Sequence, residues 1–147
     1  MRANNEMKLQ IQSRSSNESF ARVAVAAFAA QLDPTLEEIS EIKTAVSEAV
    51  TNCIVHGYED SIGWIYITAK TYEDGRFQVI VRDKGRGIAD VEKAREPLFT
   101  TSTTGERSGM GFTIMETFSD GIRVTSRVGR GTRVWMEKII AGKDEGR

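Results

Sequence analysis

Residues 64–83, WIYITAKTYEDGRFQVIVRD, carry the clearest secondary-structure signal in the chain. Every second residue is apolar on both sides of Asp74-Gly75, at Ile65, Ile67 and Ala69 and again at Phe77, Val79 and Val81. A period of two predicts half-buried strands, and Asp-Gly between two such runs is a strong signal for a tight turn. The segment is therefore predicted to form an antiparallel hairpin.

One strand and two helices are predicted before this hairpin. Residues 7–12 alternate as a strand, and residues 16–32 have the composition of a helix. Thr35 and Glu38 have the spacing of a capping box, so a second helix should begin there and continue to a glycine stop at Gly57. Its apolar stripe is Ile39, Ile42, Val46, Val50 and Cys53.

A long loop, a helix and a second hairpin are predicted after it. Residues 84–107 lack periodicity, residues 109–119 read as a helix, and residues 122–128 and 132–139 read as paired strands. Grouped helices beside hairpins favour an α+β two-layer sandwich, with the helices on one face of a mixed, largely antiparallel sheet. A loop as long as 84–107 in a compact domain is usually functional.

The composition indicates one domain over 1–147, with residues 1–5 and 142–147 frayed. The net charge is −1, so the basic excess of a general nucleic-acid binder is missing, and we expect no direct nucleic-acid partner. One Cys and one His exclude an intrachain disulfide and a structural zinc site of the usual kind. The most apolar run, 23–30, is too short to span a bilayer, and the N-terminus is polar, so we expect a cytoplasmic protein without membrane contact.

The second helix carries a polar face roughly 100–140° away from its apolar stripe. Glu48, Asn52 and His56 follow each other at intervals of four, so they share one side of the helix. A solvated helix face would have the same pattern. A functional site would use Glu48 as a general base and the Asn52 amide oxygen as a ligand for a hard cation such as Mg²⁺.

The segment Asp83-Lys84-Gly85-Arg86-Gly87-Ile88 follows directly after a strand. Gly85 and Gly87 let the backbone turn sharply and approach a ligand closely, and Asp83 could accept a hydrogen bond from an exocyclic amine. An ordinary glycine-rich turn would look similar.

Two further glycine motifs follow towards the C-terminus. Residues 105–111, GERSGMG, lead into a helix, where free backbone amides favour phosphate and Arg107 could add charge-assisted contacts. Gly131-Thr132 opens the last strand, where a tight turn would also explain it. No P-loop and no dinucleotide fingerprint is present in the sequence.

Taken together and in this order, the four motifs resemble the N, G1, G2 and G3 boxes of the GHKL superfamily of ATP-binding proteins. The boxes correspond to 48–57, 83–87, 109–111 and 131–132. Within the superfamily, the chain is most similar to small bacterial anti-sigma serine kinases of sporulation, through residues 47–57, 97–101 and 107–116. The resemblance implies the Bergerat ATP-binding fold.

The resemblance also implies a role for each matched residue. Glu48 would be the general base, Asn52 would hold Mg²⁺, Asp83 would bind the adenine amine with support from Thr132, and Gly87 would admit the nucleotide. The residues from Arg107 to Gly111 would close over the phosphates as part of a lid. The implied ATP/ADP-binding set is Asn52, Asp83, Gly85, Gly87, Ile88, Thr101, Arg107, Ser108, Gly109, Met110, Gly111 and Thr132. The role of His56 stays open.

The implied activity is that of a serine/threonine protein kinase and anti-sigma factor. Its implied partners are a sporulation sigma factor, sigma-F, and an anti-anti-sigma protein that is phosphorylated on serine, and the implied assembly is a homodimer. A nucleotide-gated module that sequesters the sigma factor without chemistry is the main alternative. A histidine-kinase catalytic domain is disfavoured because the only histidine, His56, lies inside the nucleotide motif. A gyrase- or chaperone-like ATPase would be expected to carry further domains.

The first helix supplies a candidate partner surface around Arg22. A helical projection places one group of apolar residues towards the core: Phe20, Val23, Ala24, Ala27 and Phe28. The other side then presents Arg22 among small residues: Val25, Ala26 and Ala29. Arginine is favoured at binding hot spots, so Arg22 is predicted to anchor a partner, although a plain solvent-facing helix side would carry the same residues.

Overall fold

A computed structural model describes residues 2–91 and 110–142 of the chain. The helices and strands in chain order are β1 Asn5–Gln12, α1 Ser16–Ala29, a 3₁₀ turn Ala30–Leu32, α2 Leu36–Asn52, a π-helical turn Cys53–Gly57, β2 Trp64–Thr71, β3 Arg76–Asp83, α3 Met110–Phe118, β4 Gly121–Arg127 and β5 Gly131–Ile139.

The sheet has the strand order β1-β2-β3-β5-β4, and every pairing among the described strands is antiparallel. The hairpin predicted from residues 64–83 is confirmed, with Ile67 opposite Val81 in its register. β5 lies between β3 and β4, so the last hairpin joins the sheet beside the first. The expected α+β two-layer fold is confirmed. The sheet was predicted to be mixed and largely antiparallel, and all the described pairings are antiparallel.

The core lies between the helices and one face of the sheet. The alternation of β2 and β3 directs Ile65, Ile67, Phe77 and Val81 into it, each at most 2% exposed. Most of the apolar stripe predicted for α2 is buried there, whereas Ile39 is only partly buried. The buried members of the stripe are Ile42, Val46, Val50 and Cys53.

The capping box that begins α2 also holds Ala141 and Gly142, which follow β5. Thr35 Oγ1 accepts from Glu38 N–H at 3.1 Å, and Glu38 Oε1 accepts from Thr35 N–H at 2.8 Å. The same carboxylate accepts from the N–H groups of Ala141 and Gly142 at 2.8 and 3.1 Å. Gly142, the first residue of the end expected to fray, is therefore held by a hydrogen bond, and residues 143–147 lie outside the described residues.

The N-terminal end is also more ordered than the sequence predicts. β1 begins at Asn5, and Asn4 N–H donates to the Thr71 carbonyl at 2.7 Å. Within 1–5, Asn4 and Asn5 thus join the sheet instead of fraying.

The face of α1 that points to the core was predicted wrongly. The buried residues of this helix are Ala21, Val25, Ala26 and Ala29, three of which the sequence places on the outer side. Phe20 and Val23, expected inside, are each 54% exposed, whereas Phe28 does pack against the core. α1 packs against both α2 and the sheet, and small side chains let these backbones approach closely. Arg22 therefore has buried small neighbours and does not sit in an exposed patch of them.

Among the described residues, no helix is long and apolar enough to cross a membrane.

Candidate functional site

The regular part of α2 ends at Asn52, earlier than the sequence predicts. The chain continues as a π-helical turn, Cys53–Gly57, in which the Cys53 carbonyl accepts from Tyr58 N–H at 2.9 Å. The helix therefore widens over the residues that lead to Gly57. Such π-helical turns are rare and frequent at functional sites.

This turn packs against Asp83, the last residue of β3. Asp83 is only 4% exposed, and a Cβ built on Gly57 would lie 2.9 Å from its carboxylate. The buried Cys53 thiol is hydrogen-bonded to the same carboxylate. Only a glycine at position 57 allows the π-helical turn to lie this close to the Asp83 side chain.

The loop after β3 is drawn back onto the same turn. Gly85 N–H donates to Asp83 Oδ1 at 2.8 Å, and Arg86 N–H donates to the Gly57 carbonyl at 2.9 Å. A Cβ at Gly85 would lie 2.0 Å from the Gly57 carbonyl oxygen. The atoms in contact here belong to the backbone on both sides, so rotating a side chain could not remove the clash that a larger residue at position 85 would cause.

The start of β5 completes the cluster from the other side. A Cβ at Gly131 would lie 2.1 Å from the Asp83 carbonyl oxygen, and Thr132 N–H is hydrogen-bonded to the Asp83 carboxylate. The sequence motifs at 57, 83–87 and 131–132, far apart in the chain, are thus brought together around one buried carboxylate.

Ser126 on β4 links the loop that follows β3, residues 84–88, to the start of β5. Its hydroxyl accepts from Ile88 N–H at 2.7 Å and lies 2.8 Å from Thr132 Oγ1. Gly87 packs against the same strand, since a Cβ there would lie 2.0 Å from the Arg127 carbonyl oxygen. Ile88 and Thr132 are therefore fixed by backbone and hydroxyl contacts within the same cluster.

Tyr58 holds the outer side of the cluster. Its hydroxyl donates to the Trp64 carbonyl at 2.7 Å and accepts from Lys84 N–H at 2.7 Å. One side chain thus connects the π-helical turn, the start of β2 and the residue after Asp83.

The electrostatics at Asp83 are those of a buried carboxylate with neutral partners. Burial raises its pKa above the ordinary value, and the hydrogen bonds from Gly85 N–H, the Cys53 thiol and Thr132 N–H offset this only in part. Burial, and then the Asp83 charge, raise the pKa of Cys53 in turn, so the thiol stays protonated and able to donate. An ionised carboxylate has about four acceptor positions, so one remains for a donor from a ligand.

Glu48 and Asn52 lie one turn apart on α2, as predicted, and both are half-buried. Glu48 lines an open groove of about 380 Å³ between α1 and α2, together with Arg22, Lys43 and Thr44. Arg22 forms an ion pair with Glu18 at 3.7 Å, at the edge of this groove. The structure thus places Arg22 and Glu48 on one depression, a relation that the sequence did not predict.

The donor set fits Mg²⁺ only as an ion shared with a ligand. Within residues 2–91 and 110–142, no group of three or more His, Cys, Asp or Glu side chains could hold a metal ion. Mg²⁺ is usually held by one or two protein oxygens, substrate phosphates and water, so Asn52 would suffice as a protein ligand in that arrangement.

Part of the predicted lid, namely Arg107, Ser108 and Gly109, lies outside the described residues, as does the predicted nucleotide-binding residue Thr101. Met110 and Gly111 form the first turn of α3, within the helix predicted from residue 109. Their contact with phosphate stays a prediction.

Three contributors to the cluster were missed in the sequence: Cys53, Tyr58 and Ser126. Cys53 was assigned to the apolar stripe of α2, and nothing local distinguishes it from a core residue. Ser126 could have been found, because it occupies an inward position of β4 in line with Ile122 and Val124. A polar residue at such a position needs a hydrogen-bond partner.

Comparison with known protein families matches residues 11–138 to the histidine kinase-like ATPase domain. An anti-sigma F factor from Caldanaerobacter subterraneus subsp. tengcongensis is 60% identical over 140 residues, which is 95% of this chain and 97% of the relative. An anti-sigma F factor from Geobacillus stearothermophilus is 58% identical over 139 residues, 95% of each chain.

Among solved structures, the crystal structure of the RsbU and RsbW domains of Rv1364c from Mycobacterium tuberculosis has a TM-score of 0.68 at 19% identity. The match covers 93% of this chain and 33% of that chain, so this chain spans about a third of that protein's length. At this identity the likeness concerns the fold alone. The family match over residues 11–138, with relatives of 58 to 60% identity over nearly their full length, identifies the chain as a member of the histidine kinase-like ATPase domain family.

Proposed function

We propose that this chain is an anti-sigma factor and an ATP-dependent serine kinase. It binds a sporulation sigma factor, sigma-F, and phosphorylates the anti-anti-sigma antagonist of that factor on serine. The names of its relatives support this proposal, as does the resemblance of the four sequence motifs to those of anti-sigma serine kinases. A sigma factor acts in the cytoplasm, so the chain is proposed to work there.

The cluster around Asp83 is the proposed adenine site. The buried carboxylate keeps an acceptor position and has neutral donors as partners, so it favours a ligand N–H such as the exocyclic amine of adenine. Gly85 and Gly87 bring backbone close to the same place, and Thr132 is held by Ser126 for a supporting contact. The proposed nucleotide set further includes Ile88 and Thr101 and, for the lid, the residues 107–111.

Glu48 and Asn52 are the proposed catalytic and metal-binding residues. Bound ATP would supply the phosphoryl group, and Asn52 would hold the Mg²⁺ that neutralises its charge. The Glu48 carboxylate takes the proton of the substrate serine hydroxyl as the serine oxygen forms its bond to phosphorus, and the bond to the ADP oxygen breaks. Arg107 is proposed to stabilise the charge that develops on the transferred group.

The observation that carries the kinase proposal is the position of Glu48 on an open groove. A protein serine can reach a carboxylate there, whereas a module that only sequesters a sigma factor needs no such carboxylate. Arg22 lines the same groove, so one partner could contact the predicted anchor and the predicted base together.

Phosphotransfer to the anti-anti-sigma protein tests the function. The chain is incubated with labelled ATP, Mg²⁺ and the anti-anti-sigma protein of the same organism. The proposal expects an acid-stable phosphoserine on that protein. Binding of ATP and of the sigma factor without phosphoserine would favour the sequestering module.

Arg22 is proposed to contact both the sigma factor and its antagonist. Arg22→Glu should weaken the binding of each partner by at least about thirtyfold, as expected of a hot-spot charge reversal. Arg14→Glu is the matched control, since Arg14 is exposed and lies in the loop before α1. Unchanged partner affinity in Arg22→Glu, measured by calorimetry, would exclude this role.

A homodimer is proposed as the working assembly. It is implied by the resemblance to anti-sigma kinases, and the 54% exposed Phe20 of α1, which does not line the Glu48 groove, offers an apolar contact for it. Sedimentation velocity should give twice the monomer mass, whereas the monomer mass at micromolar concentration would refute the assembly.

A further inference from the structure

Exposed cations gather on the sheet face that points away from the helices. They are Arg82, Lys84, Arg123, Arg127, Arg130 and Arg133, which we call the basic face. All six side chains are exposed, and all except Arg123 line a shallow depression of about 530 Å³. Alternation along β3, β4 and β5 produces this clustering, because the intervening residues point into the core.

The strand register places like charges directly opposite each other. Arg82 on β3 pairs with Arg133 on β5, and the next residue in that row is Thr125 on β4. Like charges at directly opposed positions destabilise a sheet. The row contains no acidic residue, so the sheet itself leaves this repulsion uncompensated.

The basic face is not neutralised by the part of the chain that the structure describes. The ion pairs between described side chains do not include these six residues. The acidic residue beside the depression is Asp83, which is 4% exposed and contacts the π-helical turn on the other side of the sheet. The net charge of the whole chain is −1, so positive charge is concentrated here and the remaining surface is net negative.

We propose that the basic face docks a short acidic segment of a partner protein. Arginine guanidinium groups present paired donors that match carboxylates, and five of the six cations are arginines. Carboxylates placed between Arg82 and Arg133 would relieve the repulsion in their row. This interaction goes beyond the proposed kinase function, because it involves neither the Glu48 groove nor the Asp83 carboxylate.

The geometry disfavours nucleic acid as the occupant. Single-stranded nucleic acid needs exposed aromatic faces for stacking. Here Arg82 and Lys84 lie over the Tyr66 ring at 4.6 and 5.1 Å, and Arg123 lies over Trp135 at 5.4 Å. The basic face spans three strands, about 10 Å across, a width that suits a short acidic segment and not a long polyanion.

Charge reversal at the basic face tests the proposal. The probe is a fluorescein-labelled octaglutamate peptide, and binding is followed by fluorescence anisotropy at low salt. The test variant is Arg127→Glu/Arg130→Glu/Arg133→Glu. The matched control is Arg2→Glu/Lys8→Glu/Arg14→Glu, which makes the same change of charge near β1, at the opposite edge of the sheet.

The wild type should bind the peptide, and added salt should weaken binding. The test variant should lose at least about tenfold in affinity, whereas the control should stay near wild type. Arg130 lies in the turn between β4 and β5, outside the strand pairs, so Arg130→Glu alone should lower the affinity for the peptide by a smaller factor. This single variant replaces the triple variant if the triple variant does not fold.

Absence of peptide binding by the wild type would overturn the proposal, as would an equal loss in test and control variants. A DNA oligonucleotide of equal charge, single-stranded or duplex, is measured in parallel. Tighter binding of DNA than of the peptide, lost in the same variant, would assign the basic face to nucleic acid and overturn the proposal.

Discussion

Gly131→Ala tests whether the Asp83 cluster depends on the close approach of β5 to the end of β3. The added Cβ would lie 2.1 Å from the Asp83 carbonyl oxygen and 2.7 Å from Lys84 Cα. Both are backbone atoms, so the strands must separate by roughly 1 Å to reach van der Waals contact. Gly131 also has φ +112°, a conformation that is strained for alanine. Overpacking of about 1–3 kcal/mol and backbone strain of about 1–2 kcal/mol give a destabilisation of about 2–5 kcal/mol.

Gly129→Ala is the matched control two residues earlier. Gly129 has φ +78°, but a Cβ there meets nothing within 4 Å, so only the strain of about 1–2 kcal/mol applies. Urea unfolding should therefore separate the two variants, and the melting temperature of Gly131→Ala should fall by about 5–15 °C. ADP affinity should also fall in Gly131→Ala alone, because Asp83 is displaced. Equal destabilisation of the two variants would refute the argument that Gly131 is required for close strand approach.

Three further predictions concern side chains in and near the cluster. Asp83→Asn should lower the affinity for ADP by at least about tenfold in calorimetry and leave the affinity for GDP unchanged, because an amide, unlike a carboxylate, cannot accept hydrogen bonds at both of its terminal atoms. Equal effects on the two nucleotides would contradict adenine recognition. Because the pKa of Asp83 is raised, acidification should begin to weaken ADP binding at a higher pH than it would if Asp83 had an ordinary pKa. Cys53→Ala removes a hydrogen-bond donor and should move this loss of affinity to still higher pH, whereas Cys53→Ser keeps a donor and should not. Burial alone would raise the pKa of Glu38, but hydrogen bonds from Thr35, Ala141 and Gly142 hold it below the ordinary value. The stabilisation that the Glu38 carboxylate gives the fold is therefore present at neutral pH and is lost as pH falls through its folded-state pKa. Urea unfolding at several pH values should show this acid loss in the wild type and not in Glu38→Gln; parallel curves for the two proteins would contradict it.

Local sequence signals were sufficient for most of the fold. The period-two runs around Asp74-Gly75 and the capping box of Thr35 and Glu38 depend on neighbouring residues only, and both are found where they were predicted. Three of the four motifs, at 57, 83–87 and 131–132, do converge, although each was weak alone, whereas the motif at 109–111 lies partly outside the described residues. Their meeting around Asp83 needed the sheet order, in which β5 lies beside β3.

Features set by tertiary packing were missed. The buried side of α1 carries three alanines and Val25, because small side chains let the helix lie close to α2 and the sheet, and this outweighs the greater apolar area of Phe20. The π-helical turn after Asn52 forms where Gly57 must fit against Asp83, a residue distant in sequence.

The proposed chemistry is tested most directly by Glu48→Gln. Phosphate transfer from labelled ATP to the anti-anti-sigma protein is measured for the wild type, for Glu48→Gln and for Glu37→Gln, an exposed residue in the first turn of the same helix. Glu48→Gln should lower the transfer rate by about 10²- to 10⁴-fold, the usual contribution of a general base, with ADP affinity near wild type. Glu37→Gln should transfer at the wild-type rate. Transfer by Glu48→Gln at the wild-type rate would contradict the assignment of Glu48 as the base.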